Sequence, residues 1–389
     1  MLFAQSGYGK GQKIEKGIRD GLIDGVILSP KGESVHTIGN SVQSIREASK
    51  QILVMIDPQT YIMALPGDNA EGKLPEYPHY RLKIGPTQLS NPKNVQDIVS
   101  SSLNMQRHFF ASHLVSPAII FDSFNSRNSQ IGISLAFESQ AQTAEENNLF
   151  VSLCIEEHAL SDREAMEDYL DILCSLEVFG FYILVDREQQ SQGFVYFEPE
   201  RLANLMYFCY VLGELNGYEV VVGYSDFAGL PLFAAGATGI SSGWFSNLRR
   251  FVRSDYEIRA GGRRPRRRFS SEILMNSILL VPELISVEDR ANLIYGSSGY
   301  VEYLDKLPDE SLWTPEVSCL QNWWALKISL ANLETAQSVK GRIDILEGMI
   351  KRAEDAFGEI DMSAWNSSAY AAHLPAWREA ISRFNQELQ

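Results

Sequence analysis

"LFVSLCIEEHALSDREAMEDYLDILCSLEVFGFYILVD", residues 149–186, sets two apolar runs of strand length on either side of a stretch of helical length. The runs, 149–155 and 181–185, are almost continuously apolar, the pattern of strands buried on both faces. The stretch from Asp162 to Leu176 joins them, so the segment reads as one strand–helix–strand unit of a parallel sheet.

The same alternation runs outward in both directions, from the first residue to about 250. Strand-length runs fall at 2–6, 25–29, 52–56, 118–121, 149–155, 181–185, 219–223 and 238–242. Between them the pattern predicts helices over residues 10–21, 41–51, 94–110, 131–148, 162–176, 199–217 and 230–235. Eight such units in one uninterrupted alternation resemble the TIM (β/α)8 barrel, and the resemblance covers roughly two thirds of the chain. An open, doubly wound sheet is the competing architecture. The expected organisation is therefore α/β: a TIM-like (β/α)8 barrel over 1–260, then an Arg-rich linker and a helical C-terminal region over 261–389.

The C-terminal helices are read from caps and period. Ser270 and Ser271, with Glu272, suggest an N-cap for a helix over "SEILMNSILL". Thr314 and Pro315 open a second, and Ile343, Leu346, Ile350, Ala353 and Phe357 repeat at helical spacing in a third. A last segment carries Trp377, Ile381 and Phe384. Trp313, Trp323, Trp324, Trp365 and Trp377 are expected to pack this region on itself and on the barrel, or else to anchor a homo-oligomer or protein-partner interface.

Bulk composition narrows the classes. The chain has 389 residues, 45% of them hydrophobic and 21% charged, which is the balance of a folded globular protein. No charged and apolar leader opens it, and no run approaches the 18 or so apolar residues a membrane span needs, so a cytoplasmic protein is expected. Cys154, Cys174, Cys209 and Cys319 are widely spaced in apolar surroundings, as reduced buried thiols would be.

If the barrel holds, chemistry belongs on the loops after each strand's C-terminal end. In four consecutive units an acid follows the apolar run directly: Asp57, Asp122, Glu156 and Asp186, with Asp226 three residues beyond a fifth run. Such a ring would supply a general acid and base, or hold a divalent cation through oxygen ligands. Each acid could instead cap a following helix, although after Asp57 and Asp186 the next expected helix starts more than ten residues later. The long loop after the third run carries Tyr80 and Arg81 and suits a lid or binding loop. In the eighth unit Ser241, Ser242 and Gly243 stand where many such barrels hold a phosphate.

Positive charge is concentrated beyond that unit. Nine arginines between Arg249 and Arg268 face only Asp255 and Glu257, in a chain of net charge -15. Arg249 and Arg250 follow the eighth run directly, while Arg263, Arg264, Arg266, Arg267 and Arg268 crowd a Gly- and Pro-containing loop. Arginine's planar fork suits phosphate or carboxylate, so the run would grip a phosphorylated or polynucleotide substrate, or dock an acidic surface. The overall acidity argues against broad nucleic-acid binding.

Histidine-rich metal motifs and G-x-S-x-G are absent from the sequence, and Lys31 alone among lysines stands just past a strand run, which weakens a Schiff-base mechanism. The leading expectation is an enzyme using strand-end carboxylates to cleave or exchange a glycosidic, N-glycosidic or phosphoester bond in a phosphate-bearing substrate, a hydrolase or glycosyl transferase. The alternative is a non-catalytic barrel that docks partners through its arginine loop and Trp-rich helices. A fold alone decides neither.

Overall fold

The computed structural model describes residues 1–65, 71–187, 195–257, 266–366 and 370–388. From the N-terminus come β1 (Leu2–Gln5), α1 (Lys13–Arg19), β2 (Gly25–Leu28), α2 (Val35–Ala48) and β3 (Leu53–Ile56). Two short helices, α3 (Thr60–Met63) and α4 (Pro86–Leu89), interrupt the long loop before α5 (Pro92–His108). Then follow β4 (Leu114–Val115), β5 (Ile120–Phe121), α6 (Arg127–Thr143), β6 (Leu149–Glu156) and α7 (Arg163–Leu173). The series ends with β7 (Gly180–Asp186), α8 (Pro199–Cys209), β8 (Glu219–Val222), α9 (Leu230–Ala235) and β9 (Gly239–Ser242). Side-chain caps start the longer helices: Ser34 accepts from the Thr37 N–H, Ser126 from Ser129 and Asp162 from Ala165.

Every strand pair in this sheet is parallel, in the order β3-β2-β1-β9-β8-β7-β6-β4, with β5 also paired to β6. β4 and β5 are two halves of one strand position, parted at Ser116 and Pro117, where proline has no N–H to donate. The nine segments thus form eight staves of a nearly closed TIM-like barrel. The remaining seam, between β3 and β4, has no ladder: the Ser112 and His113 N–H groups donate to the Val54 carbonyl at 2.9 and 3.3 Å, and side chains supply the rest. Ser112 Oγ accepts from the Val54 N–H at 2.7 Å and donates to the Val54 carbonyl at 3.0 Å. Thr60 Oγ1 does the same for Ala118, at 2.8 and 2.7 Å. On the outer side Gln106 saturates Val115, accepting from its N–H and donating to its carbonyl, both at 2.7 Å. Buried backbone groups left unpaired are costly, so these clips are what lets the barrel come so near closure.

Beyond the barrel the segment read as a helix from Ser270 is instead an antiparallel hairpin, β10 (Arg268–Ser271) and β11 (Asn276–Leu279). Gln321 explains the difference: its amide accepts from the Ser270 N–H at 2.9 Å and donates to the Ser270 carbonyl at 2.6 Å. Ser270 also donates to Asn322 Oδ1 at 2.6 Å. These tertiary bonds serve extended backbone and override local helix propensity.

After a short α10 (Asn292–Tyr295) come the long helices α11 (Pro315–Glu334), α12 (Val339–Glu359) and α13 (His373–Glu387). α11 lies against β1, α1 and α9, which is the place of the helix that would follow the eighth stave. Trp323 ties it there, donating from Nε1 to the Ser242 carbonyl at 2.9 Å, and Lys327 pairs with Asp24 at 2.7 Å. α12 covers α9, and α13 covers α8. Trp313, Trp323, Trp365 and Trp377 are buried and Trp324 half-buried in one core continuous with the barrel. Among the described residues no helix is long and apolar enough to cross a membrane, and all four cysteines are unpaired.

Candidate active site at the barrel mouth

The C-terminal ends of the staves open into a cleft of about 510 Å³, of the size that takes a small ligand. Loops after β1, β2, β3, β8 and β9 build its walls. Tight packing holds the loops together: a Cβ on Gly32 would lie 2.9 Å from the Tyr8 nitrogen, and Trp244 Nε1 donates to the Tyr8 carbonyl at 2.9 Å. The long loop after β3 folds back over the loop after β2. There the Lys73 N–H donates to the Lys31 carbonyl at 3.0 Å and the Tyr77 hydroxyl to the Glu33 carbonyl at 2.6 Å. Gly72, at φ +58°, sits so close that a Cβ would come within 2.3 Å of the Lys31 oxygen. Only glycine fits that position.

Gln59 organises the floor. It is buried, and it holds a left-handed φ of 54°, a conformation that ordinary residues keep only where their surroundings enforce it. Its Oε1 accepts from Ser29 Oγ at 2.9 Å and from the Lys31 N–H at 2.8 Å, joining the ends of β2 and β3. Its own N–H donates to Asp57 Oδ1 at 2.9 Å.

Asp57 lies behind this floor, 1% exposed, with its other oxygen accepting from the Tyr61 hydroxyl at 2.8 Å. Burial pushes its carboxyl up to about 6, against which the two hydrogen bonds act only in part. From Tyr61 the contacts continue outward, because the Tyr224 hydroxyl meets those of Tyr61 and Tyr256 and the Gln59 amide. Tyr224 and Tyr256 line the cleft. Phe251 packs among the three tyrosines, with ring centroids 5.2, 5.5 and 5.6 Å away. Burial raises all three phenols, so each stays protonated.

The opposite charge in the cleft comes from Lys31, whose Nζ stands 5.0 Å from the Tyr256 ring centroid. Burial lowers its ammonium, opposed by the charge of Asp255, which also lines the cleft. Lys73 is a second cation there, paired with Glu76 at 2.8 Å.

The other expected acids are distributed differently. Glu156 and Asp186 are register partners at the ends of β6 and β7. Arg253 lies between them, salt-bridged to Glu156 and donating from Nε to Asp186 Oδ2 at 2.5 Å. They line a smaller cavity of about 250 Å³. Asp226 is buried and accepts from Ser242 Oγ at 2.7 Å and Asn322 Nδ2 at 3.1 Å. Asp122 is exposed. The five acids therefore stand in four separate surroundings, and among the described residues no three His, Cys, Asp or Glu side chains are grouped to hold a metal ion.

Ser241 and Ser242 lie at the mouth but turn their hydroxyls inward: Ser241 Oγ donates to Gln5 Oε1 and accepts from the Tyr224 N–H, at 2.7 and 2.8 Å. Gly243 packs against the Gln5 carbonyl, 2.4 Å from where its Cβ would be. Arg249 is buried and donates to the Gly243 carbonyl at 2.9 Å. Arg250 is half-buried, its guanidinium lowered by burial and opposed by Asp255 and Glu157.

Arg266 reaches the Val281 carbonyl at 3.3 Å, Arg267 binds Glu310, and Arg268 donates to the Ser277 carbonyl at 2.7 Å. Arg263 and Arg264 lie outside the described residues. Tyr80 donates to Glu71 at 2.7 Å, and Arg81 folds back on the Pro78 and Tyr80 carbonyls at 2.8 Å. The residues that meet at the cleft, Gln59, Tyr61, Tyr224, Tyr256 and Asp255, were not selected from sequence. For Gln59, Tyr61 and Tyr224 the signal was present in "DPQTY" and "VVVGY", where polar and aromatic residues follow strand ends.

No family model and no curated protein matches the chain. Among solved structures it is similar to thiamine phosphate pyrophosphorylase from Pyrococcus furiosus, at 9% identity and TM-score 0.30 over 62% of this chain and 83% of that one. It is also similar to the carboxyl transferase domain of Rhizobium etli pyruvate carboxylase, solved with 3-bromopyruvate, at 12% identity and TM-score 0.38 over 100% of this chain and 61% of that one.

Proposed function

We propose that the chain is an enzyme that carries out acid–base chemistry on a small, phosphate-bearing substrate in the mouth cleft. In this reading Asp57 is the proton store, and Tyr61, Tyr224 and Tyr256 connect it to the substrate. One observation carries the reading: a buried carboxyl that no cation contacts among the described residues is joined by hydroxyls to a cleft of ligand size. A carboxyl near 6 can both give and take a proton at neutral pH. Cleavage of a glycosidic, N-glycosidic or phosphoester bond needs a proton at the leaving group, and Asp255 offers a second carboxylate across the cleft. Lys31 and Lys73 supply positive charge for the substrate's anionic part.

The test is native mass spectrometry of the purified protein, alone and with sugar phosphates and nucleotides, followed by turnover assays of whatever binds. Asp57→Asn should keep binding and lose turnover by about a hundredfold or more, the scale of general acid–base catalysis. Equal turnover in that variant, or a cleft that takes none of these compounds, would overturn the reading.

A second reading rests on Arg253. With Glu156 and Asp186 both held by Arg253 and both serine hydroxyls engaged internally, the far side of the mouth is built as structure, as in a barrel that serves as a docking subunit. That reading expects Asp57→Asn and Glu156→Gln to leave function intact.

A further inference from the structure

Lys31 differs from the other lysines near the mouth. Lys73 is paired with Glu76, Lys10 with Glu15, and Lys13 donates to the Gly9 and Lys10 carbonyls. The Lys31 Nζ makes no hydrogen bond or ion pair with a described residue, and its contact is the face of Tyr256. Its backbone is nonetheless fixed on both sides, the N–H by Gln59 and the carbonyl by Lys73. A flexible side chain thus grows from a rigid base into the cleft, beside the hydroxyl that ends the tyrosine chain from Asp57.

We infer that Lys31 is a nucleophile that forms an imine with a carbonyl substrate carrying an anionic group. This deepens the acid–base reading above and rests on it. A lysine serves as a nucleophile when no carboxylate in contact holds its charge and its surroundings disfavour the ammonium; no described carboxylate bonds Lys31, and burial lowers its ammonium. In the step, the neutral amine attacks the carbonyl carbon, a C–N bond forms, and the carbonyl π electrons move to oxygen. That oxygen then leaves as water with two of the three protons of the original ammonium, giving a protonated imine. In this step Tyr256 and Tyr224, which line the same cleft, protonate the departing oxygen, and Asp57 behind them restores the proton. Lys73, on the facing loop, is placed to meet the substrate's anionic end.

The experiment is reductive trapping with cyanoborohydride, using pyruvate and glycolaldehyde phosphate separately as probes, on the full chain at pH 7, read by intact mass and peptide mapping. Lys31 should be labelled faster than an exposed lysine such as Lys351, because burial raises its share of neutral, reactive amine at pH 7. Lys31→Arg should remove that label alone. The two readings fail separately. Labelling of Lys31 no faster than Lys351, in a protein that binds the probe by native mass spectrometry, overturns the nucleophile and leaves the acid–base reading standing. Absence of both binding and selective labelling overturns both. Should Lys31→Arg misfold, reductive methylation of the wild-type chain with formaldehyde reports the same ranking of lysines, and a Lys31 that ranks with the exposed ones again overturns the proposal.

Discussion

Arg253 holds Asp186 with two groups at once: its backbone N–H donates to Oδ1 at 2.7 Å and its Nε to Oδ2 at 2.5 Å. Its Nη2 is bridged to Glu156. The loop after β9 is thereby pinned across the ends of β6 and β7. Arg253→Ala leaves two neighbouring carboxylates without their cation, and Asp186 is buried. A loss of about 2 kcal/mol is expected in urea unfolding at pH 7.5, between the values for exposed and buried pairs, since Arg253 itself is partly open. The difference from wild type should shrink as pH falls and the carboxylates protonate.

Asp57 gives the opposite pH signature from a salt-bridged acid. Its carboxyl is raised in the folded chain from 3.8 to about 6, so ionisation is easier in the unfolded state. Stability is therefore fully present below pH 3.8 and falls as pH rises through about 6, by roughly 3 kcal/mol in all. Asp57→Asn should flatten that part of the profile and unfold at higher urea than wild type at pH 8. A variant that tracks wild type between pH 4 and 8 would show that Asp57 ionises freely.

Single side chains help to close the seam between β3 and β4. Thr60→Val keeps the shape of the residue and removes the oxygen that both accepts from and donates to Ala118. With a buried N–H and carbonyl left unpaired, a loss of about 2 kcal/mol is expected in the same unfolding assay. Hydrogen exchange should locate the change, with faster exchange at Ala118.

Gly72→Ala cannot keep both the positive φ and the contact with the Lys31 carbonyl. The loop after β3 should lift from the cleft, which protease nicking between residues 71 and 80 would report. Selective labelling of Lys31 should fall in the same variant, as its amine becomes more hydrated and its neighbour Lys73 moves away.

The barrel was legible because its strands are apolar on both faces, so each run announced itself without reference to neighbours. Leu114–Val115 was not read, since a two-residue strand stopped by Ser116 and Pro117 has no period to detect. The hairpin was misread because Gln321 and Asn322, some fifty residues on, decide the backbone at Ser270. For the acids, sequence gives position along a strand and nothing about what lies opposite. Asp57 and Asp186 look alike in one dimension, yet one meets a tyrosine hydroxyl and the other an arginine. The tyrosine chain joins residues 61, 224 and 256, and only closure of the barrel brings such distant positions together.

The place of α11 has a consequence for how the molecule is made. β9 ends at Ser242, but the helix that covers its junction with β1 begins at Pro315. During synthesis the eight staves emerge while β1 and α1 still lack the helix that packs on them. With α11 some seventy residues beyond β9, the nascent barrel is expected to carry an open apolar flank until that helix is made. That interval, more than any single contact, is when the chain is open to chaperone capture and to misassembly with its own copies.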